Sequence, residues 1–433
     1  MKTTKTPDLS WIQQYQTSQP HFGLSRIKHL LSLRGNPHLQ LSVIHIAGTN
    51  GKGSTIAHLR QLLLSRGLKV GTFTSPYLVQ YNEQISINHS AISNKDLEKF
   101  LSTYQHLFQQ HSTDEQLFDI TEFEILTALA YDYFAQQKVD VAIIEVGMGG
   151  RLDSTNVCQP DITAITTIGL DHTNFLGNSL ASIAEQKAGI IKENVELIVG
   201  NVPEEARAVI EEIANRRKAP YFYYDKDYRV RYVSSLDDGE CFYFTNANRQ
   251  EEVYKTPLIG LHQIDNAGLA IEICDSYCQQ KKIKLLSQEE IVEAMKQVAW
   301  LGRMEKVSDK PIVILDGAHN PHALKIVLKS LEKHYPTFHK NFLFSCIQTK
   351  SLNKMVDMLK QVPDSQLVLT SFLDSRSFSP ETMKLLAKKE QVRYDDWQSF
   401  LKTYLETERT EQEILLITGS LYFLAQVRQY LVN

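Results

Sequence analysis

Apolar positions along this chain fall into short continuous runs, each followed by a stretch at helical spacing, so strands and helices are predicted in turn. Residues 24–33 have helical spacing and a structural role. Val43, Ile44 and Ile46 make a short strand entering a turn that holds Gly48, Gly51 and Gly53. The turn opens into an amphipathic helix carrying Ile56, Leu59, Leu62 and Leu63. A second strand is predicted over 69–74, ending in Ser75-Pro76, and a loop from Tyr77 becomes a strand at 84–87. Helices follow at 94–110 and 121–137. The run at 139–147 is so apolar that it reads as a central parallel strand covered on both faces. A strand at 162–168 and a helix at 182–192 come next.

Between 221 and 255 the period changes to two, around Asp237-Asp238-Gly239, which signals a hairpin: a small antiparallel appendage without chemistry. Leu261 to Ala267 opens a long helix, another spans 287–298, and Trp300 to Arg303 marks a domain junction. From Pro311 the alternation restarts. Strands are predicted at 312–315, 342–346, 367–370 and 414–418, with helices at 321–334, 353–362, 380–389, 397–405 and 421–431. At 433 residues the chain is too long for one comfortable core. The expected fold class is α/β with two domains, 1–299 and 300–433, each an open, mostly parallel sheet covered by helices.

Strand, glycine turn and helix together are the layout of a phosphate cradle. Glycines let backbone N–H groups converge on one anion, and the helix start adds its positive dipole end. Lys52 supplies a movable charge for outer phosphates, and Ser54 or Thr55 offers a hydroxyl. Only two residues separate Gly48 from Gly51, against four in the usual Walker pattern, so this is a variant loop.

Other polar groups sit at strand exits, where α/β sheets bind ligands. Ser75 is either a ligand-side hydroxyl or a turn-former ahead of proline. Glu145, alone at the end of an apolar strand, suits Mg²⁺ or its water. His172, in Gly169-Leu-Asp-His172, is either a backbone-satisfied loop histidine or a metal-side group; Ser, Glu and His at three adjacent exits favour the second. Gly147-Met-Gly-Gly-Arg-Leu-Asp153 lacks dinucleotide spacing and reads as a tight loop over the site. On pattern alone Lys187 is a solvated helix lysine. Asp316-Gly-Ala-His-Asn-Pro321 and Thr418-Gly-Ser420 close two strands of the second half and belong to a site.

A net charge of −4, with 42% hydrophobic and 22% charged residues, describes a soluble globular chain and gives no reason to expect nucleic acid. The polar start, Met-Lys-Thr-Thr-Lys-Thr-Pro-Asp, leads into no apolar signal core, and no run is long enough to span a membrane, so a cytoplasmic location is expected. Five scattered cysteines suit a reducing compartment. Cys274 and Cys278 share a helix face and read as core thiols rather than half a metal site.

The stretches Gly48 to Thr55, Thr74-Ser-Pro76, Glu145 to Asn156, Gly169 to His172, Gly302-Arg303, Asp316 to Pro321 and Thr418 to Ser420 resemble folylpolyglutamate synthase, including the bifunctional dihydrofolate synthases. These belong to the Mur ligase superfamily of ATP-dependent amide ligases. The likeness runs from about Gly23 to the C-terminus with the motifs in family order. Gly-Lys-Gly-Ser, rather than Gly-Lys-Thr-Thr, points to the folate branch.

The resemblance implies a P-loop ATPase-type first domain and a Rossmann-like second domain. It implies that Gly48, Thr49, Asn50, Gly51, Lys52, Gly53, Ser54 and Thr55 bind ATP, with Asn266, Arg303 and Asp316 as further nucleotide contacts. It also implies that Ser75, Glu145 and His172 hold Mg²⁺, of which two ions are expected. Lys187 matches a family lysine that is carbamylated, and Lys52, Lys187, His319 and Arg303 are the implied catalytic set. His319 and Ser420 lie near glutamate, and the pteroate pocket falls among loops 77–83 and 121–124. The implied reaction adds L-glutamate to a folate carboxylate through an acyl phosphate. Dihydropteroate as acceptor, alone or as a second activity, stays open, and a monomer suffices.

Overall fold

The computed structural model describes residues 6–17, 21–348, 351–407 and 412–432; the first five residues of the polar start lie outside them. The chain divides into two compact units. One comprises residues 1–231, 243–254 and 265–298, the other 232–242, 255–264 and 299–433.

The first unit is built on an eight-stranded sheet. Its strands are β1 (Val43–Ala47), β2 (Val70–Phe73), β3 (Ile85–Ile87), β4 (Ser90–Ala91), β5 (Val141–Glu145), β6 (Ile162–Ile165), β7 (Glu196–Val199) and β8 (Tyr221–Tyr223). Their order is β4-β3-β2-β5-β1-β6-β7-β8, parallel except for β3 and β4 at one edge. Every residue of β1, β5 and β6 is buried, as an apolar strand sandwiched between helix layers must be. One core joins Val43, Ala142 and Ile144 to helices Ser25–Leu33, Asn94–Gln110 and Glu122–Gln136. A second joins Ile165, Leu197 and Val199 to helices Leu180–Ala188 and Glu204–Arg216. Each fully buried Leu or Ile in these layers contributes roughly 1.5–3 kcal/mol. The Glu122–Gln136 helix starts where a capping box demands: Thr121 Oγ1 accepts the Glu124 N–H, and Glu124 Oε2 accepts the Thr121 N–H.

Between 229 and 256 lie the strands β9 (Arg229–Leu236), β10 (Gly239–Thr245) and β11 (Glu252–Thr256), in the order β11-β10-β9. Helix His262–Gln280 follows, with Cys274 and Cys278 both buried in it as core thiols. None of the five cysteines forms a disulfide bond.

The second unit holds β12 (Glu305–Asp309), β13 (Ile312–Asp316), β14 (His339–Phe344), β15 (Ser365–Leu369), β16 (Arg393–Tyr394) and β17 (Glu413–Thr418). They run β12-β13-β17-β14-β15-β16, all parallel except β12. Helix Pro321–His334 has the bounds its spacing predicts, with Pro321 at its first position and the Asn320 side chain capping Ala323 N–H. The α/β class with mostly parallel sheets is therefore as expected.

Details depart from expectation where packing overrides pattern. Gly53 is not in the turn but inside the helix Lys52–Leu64. That helix is buried almost all round rather than amphipathic, because it is the central helix of the unit. The strands β4, β7, β8, β12 and β16 and the helix Glu204–Arg216 are additions; β12 is the antiparallel edge of the second, mostly parallel sheet.

Candidate active site

The glycine turn departs from β1 at the centre of the first sheet, between β5 and β6. Two glycines are required there by their surroundings. Gly48 has φ +153° and a Cβ on it would overlap the Thr166 hydroxyl; Gly51 has φ +86° and a Cβ would overlap the Asn266 amide oxygen. The turn is clamped to the loop leaving β6. Thr49 N–H donates to the Thr167 carbonyl at 2.8 Å, and Asn50 N–H to Thr167 Oγ1 at 3.0 Å. The Thr166 and Thr167 hydroxyls donate to the Asn50 carbonyl at 2.6 and 3.0 Å. Thr49 Oγ1 donates to the Gly169 carbonyl at 3.1 Å and accepts the Gly169 N–H at 3.0 Å. This ladder fixes the turn's backbone before any ligand arrives.

Lys52, the first residue of the helix, donates its Nζ to the Gly48 carbonyl at 3.1 Å and lies 3.8 Å from Glu145 Oε1. Ser54 and Thr55 are buried in the first turn, and Thr55 Oγ1 has no hydrogen-bond partner among the described residues. Glu145 is 5% exposed at the end of β5, and its Oε2 accepts the Ser75 N–H at 3.1 Å. Ser75 follows β2, which pairs directly with β5, so these two groups are brought together. His172 is not on an adjacent exit: β1 lies between β5 and β6, so the three exits are not consecutive. It caps the short Thr173–Leu176 helix with φ +49°, is exposed, and its N–H donates to Asp171 Oδ1 at 2.9 Å.

Lys187 overturns its solvated reading. It is buried, and its Nζ donates to the Gly48 carbonyl at 3.0 Å. Burial, and then the nearby Lys52, bring its ammonium down to about 7, against smaller opposite effects of Asp171 and Asp153. The Gly147–Asp153 loop packs onto the end of the Lys187 helix: Arg151 N–H donates to the Gln186 carbonyl at 2.8 Å.

Asp153, to which spacing gave no part, organises that loop. Its Oδ2 accepts Met148 N–H at 2.7 Å, its Oδ1 accepts Thr155 N–H at 3.0 Å, and Thr155 Oγ1 lies 2.9 Å from His45 Nε2 on β1. Burial raises the Asp153 carboxyl and lowers His45 to about 3. A polar side chain inside an apolar strand was the signal available for His45. The loops at 77–83 and 121–124 do adjoin, through Tyr81 OH donating to Glu122 Oε1 at 2.8 Å and Phe123 stacked 5.8 Å from Phe73.

In the second unit, Asp316 on β13 pairs with Thr418 on β17, which brings the Asp316–His319 and Thr418–Ser420 segments side by side. Asp316 is buried; its Oδ2 accepts Met304 N–H at 2.9 Å and its Oδ1 accepts Ala318 N–H at 2.8 Å. Burial raises its carboxyl, with Arg303 opposing. Arg303 Nη1 donates to the Gly302 carbonyl at 3.1 Å, and a Cβ on Gly317 would overlap that guanidinium. His319 Nδ1 is 2.8 Å from the Gly317 carbonyl, and Ser420 is buried.

Mg²⁺ takes oxygen ligands and keeps waters. The Glu145 carboxylate beside Ser75 fits that preference. Among the described residues no group of three or more His, Cys, Asp or Glu side chains is placed to hold a metal, so an ion here would be completed by phosphate and water. Among the described residues no helix is long and apolar enough to cross a membrane.

Residues 46–274 match the Mur ligase middle domain, and 302–421 the Mur ligase glutamate ligase domain. The chain is 35% identical over 424 residues to a dihydrofolate synthase/folylpolyglutamate synthase of Bacillus subtilis, covering 98% of each chain. Among solved structures it superposes on the apo form of L. casei FPGS with TM-score 0.86 and 30% identity, and on an FPGS–AMPPCP–folate complex with TM-score 0.87 and 31% identity, covering 98% of each chain in both cases. The chain belongs to the Mur ligase family, among the dihydrofolate and folylpolyglutamate synthases.

Proposed function

We propose that this enzyme joins L-glutamate to the carboxylate of a folate at the expense of ATP, releasing ADP and phosphate. The convergence of Lys52 and Lys187 on the Gly48 carbonyl, with Glu145 3.8 Å from Lys52, carries the reading. The Lys52 cation and a helix start directed at one glycine turn are suited to a polyphosphate. The relative solved with AMPPCP and folate supports the same choice of ligands.

A carboxylate resists attack by an amine until one of its oxygens can leave. The γ-phosphoryl group is therefore moved to the folate carboxylate, and the glutamate amine then attacks the acyl carbon and expels phosphate. The Gly48–Thr55 backbone and Lys52 hold the phosphates in line, and a fixed cation at the transferring group stabilises charge without reorganising. Asn266 over Gly51, and Arg303 and Asp316 in the second unit, are the other nucleotide contacts. Ser75, Glu145 and His172 would hold Mg²⁺, which neutralises phosphate charge when bound. Lys187, half neutral near pH 7, is suited to take up CO₂ as a carbamate and so become an anion. His319, whose Nδ1 lies 2.8 Å from the Gly317 carbonyl, would take a proton from the incoming glutamate ammonium, with Ser420 beside that substrate.

The same residues serve if dihydropteroate is the acceptor, and the Bacillus subtilis relative bears both names. Every residue used lies in one chain, so the reading is of a monomer, and five cysteines outside any disulfide support a cytoplasmic location. The test offers purified protein tetrahydrofolate or dihydropteroate separately, with ATP and L-glutamate. ADP release that requires both acceptor and glutamate, with a glutamylated product by mass, is expected. ADP release without acceptor, or none with either, overturns the reading.

A further inference from the structure

The first unit carries a second concavity. A cleft of about 570 Å³ is lined by Arg151, Asn156, Gln159, Lys192, Glu193 and Arg217, among others. No residue of the glycine turn lines it, nor does Ser75, Glu145, His172 or Lys187. The short helical turn Ser154–Val157 supplies Asn156, and the turn after helix Leu180–Ala188 supplies Lys192 and Glu193. The Asn194 N–H donates to the Arg217 carbonyl at 3.0 Å, which ties that turn to the end of helix Glu204–Arg216.

Asn156 is 5% exposed, and its Nδ2 donates to the carbonyls of Arg151 at 3.1 Å and Gly189 at 3.0 Å. Those two bonds fix the amide orientation. The Oδ1 is left buried, with no hydrogen-bond partner among the described residues. Such an acceptor carries a cost until a donor reaches it. Lys192 Nζ, held on the Asn156 carbonyl at 3.0 Å, brings a cation to the same place. Arg151 has a loose pairing with Glu185, 3.6 Å apart with both side chains more than half exposed. The Arg217 guanidinium is exposed and has no partner among the described residues.

The lining thus offers three cations, one carboxylate and one orphaned acceptor. A bare anion meets the cations and leaves the acceptor unpaired. A ligand with two carboxylates and an N–H donor meets the three cations and the acceptor. We propose that this cleft binds glutamyl groups, as free L-glutamate or as a γ-glutamyl chain. Carboxylates pair with Arg151, Lys192 and Arg217, and the nitrogen donates to Asn156 Oδ1. The choice of glutamate among acidic amino acids rests on the ligase reading above; the site itself does not.

Calorimetric titration of the full chain, without nucleotide, tests the proposal with three probes: L-glutamate, γ-glutamylglutamate and inorganic phosphate. One of the first two binds, and the tighter identifies the source. Arg217→Glu weakens that binding at least about tenfold, while His319→Ala leaves it within about twofold. Arg217→Glu keeps its melting temperature and its turnover at saturating substrates, since Arg217 lies outside the reaction centre. Binding of phosphate alone, no binding of either glutamyl probe, or binding indifferent to Arg217→Glu overturns the proposal. Arg217-dependent glutamate binding in a protein that ligates nothing upholds the cleft and removes the proposed function, so the two failures are distinguishable.

Discussion

Lys52 and Lys187 share one acceptor: both ammonium groups donate to the Gly48 carbonyl, at 3.1 and 3.0 Å. Lys187 is the buried partner and gives way, its affinity for a proton lowered until it titrates at about 7. A neutral amine is the form that reacts with CO₂. The modified fraction of Lys187 is therefore expected to rise as pH passes upward through about 7 at constant dissolved CO₂, read by mass spectrometry under native conditions. Lys187→Ala is expected to lose most turnover and to regain part of it with added short carboxylic acids, which restore an anion. An unmodified lysine at physiological CO₂ refutes the carbamate.

Lys52 acts on charge rather than on the fold. Its side chain is 16% exposed, and truncating it removes the cation 3.8 Å from Glu145 Oε1. Lys52→Ala is expected to reduce kcat on the order of 10²-fold or more, the usual effect of removing one preorganised group from a transferring centre. The melting temperature stays close to that of the parent. Near-normal turnover would remove Lys52 from the mechanism.

Gly51 combines a left-handed backbone with close contact to Asn266. Gly51→Ala meets both obstacles, and a cost of about 1–3 kcal/mol in stability is expected from the backbone alone. Nucleotide affinity, followed by calorimetry with a non-hydrolysable ATP analogue, falls further because the Asn266 amide is displaced. The double variant with Asn266→Ala recovers stability relative to Gly51→Ala, since one of the two obstacles is gone. No recovery would show that the backbone term is the whole effect.

These relationships differ in how far spacing announces them. The β1 strand, its glycines and the helix entry are contiguous, so local pattern suffices, and the apolar run ending at Glu145 marks β5 as central. Spacing alone reads Lys187 as solvated, although a signal exists: Ile183 is one turn earlier on the same face, so a buried Ile183 carries Lys187 inward with it. The Thr166 and Thr167 clamps on Asn50 and the contact of Thr155 with His45 depend on chain segments brought together by the sheet order, which no local window holds. Helix Glu204–Arg216 has a weak periodic signal because its buried stripe is only Ala206, Ile210 and Ala214.

Glu272 gives a pH dependence separable from the active site. It is buried on helix His262–Gln280 and accepts from Asn246 Nδ2 at 2.8 Å. Its neighbour Asp275 is held by Arg249 through two bonds of 2.7 and 2.8 Å, so that cation is already engaged. Burial, and then the carboxylates of Asp275, Glu196 and Asp227, lift Glu272 to about 7 from 4.5, with Asn246 opposing. Between those values the folded chain holds a proton that the unfolded chain has released. Stability contributed by this group is therefore complete below about 4.5 and is lost as pH rises through about 7. The full loss is on the order of 3 kcal/mol. Glu272→Gln keeps the shape and the Asn246 contact without the charge. Its urea midpoint is expected to exceed that of the parent above pH of about 7, with the two converging toward about 4.5. Parallel curves across that window would place the proton elsewhere.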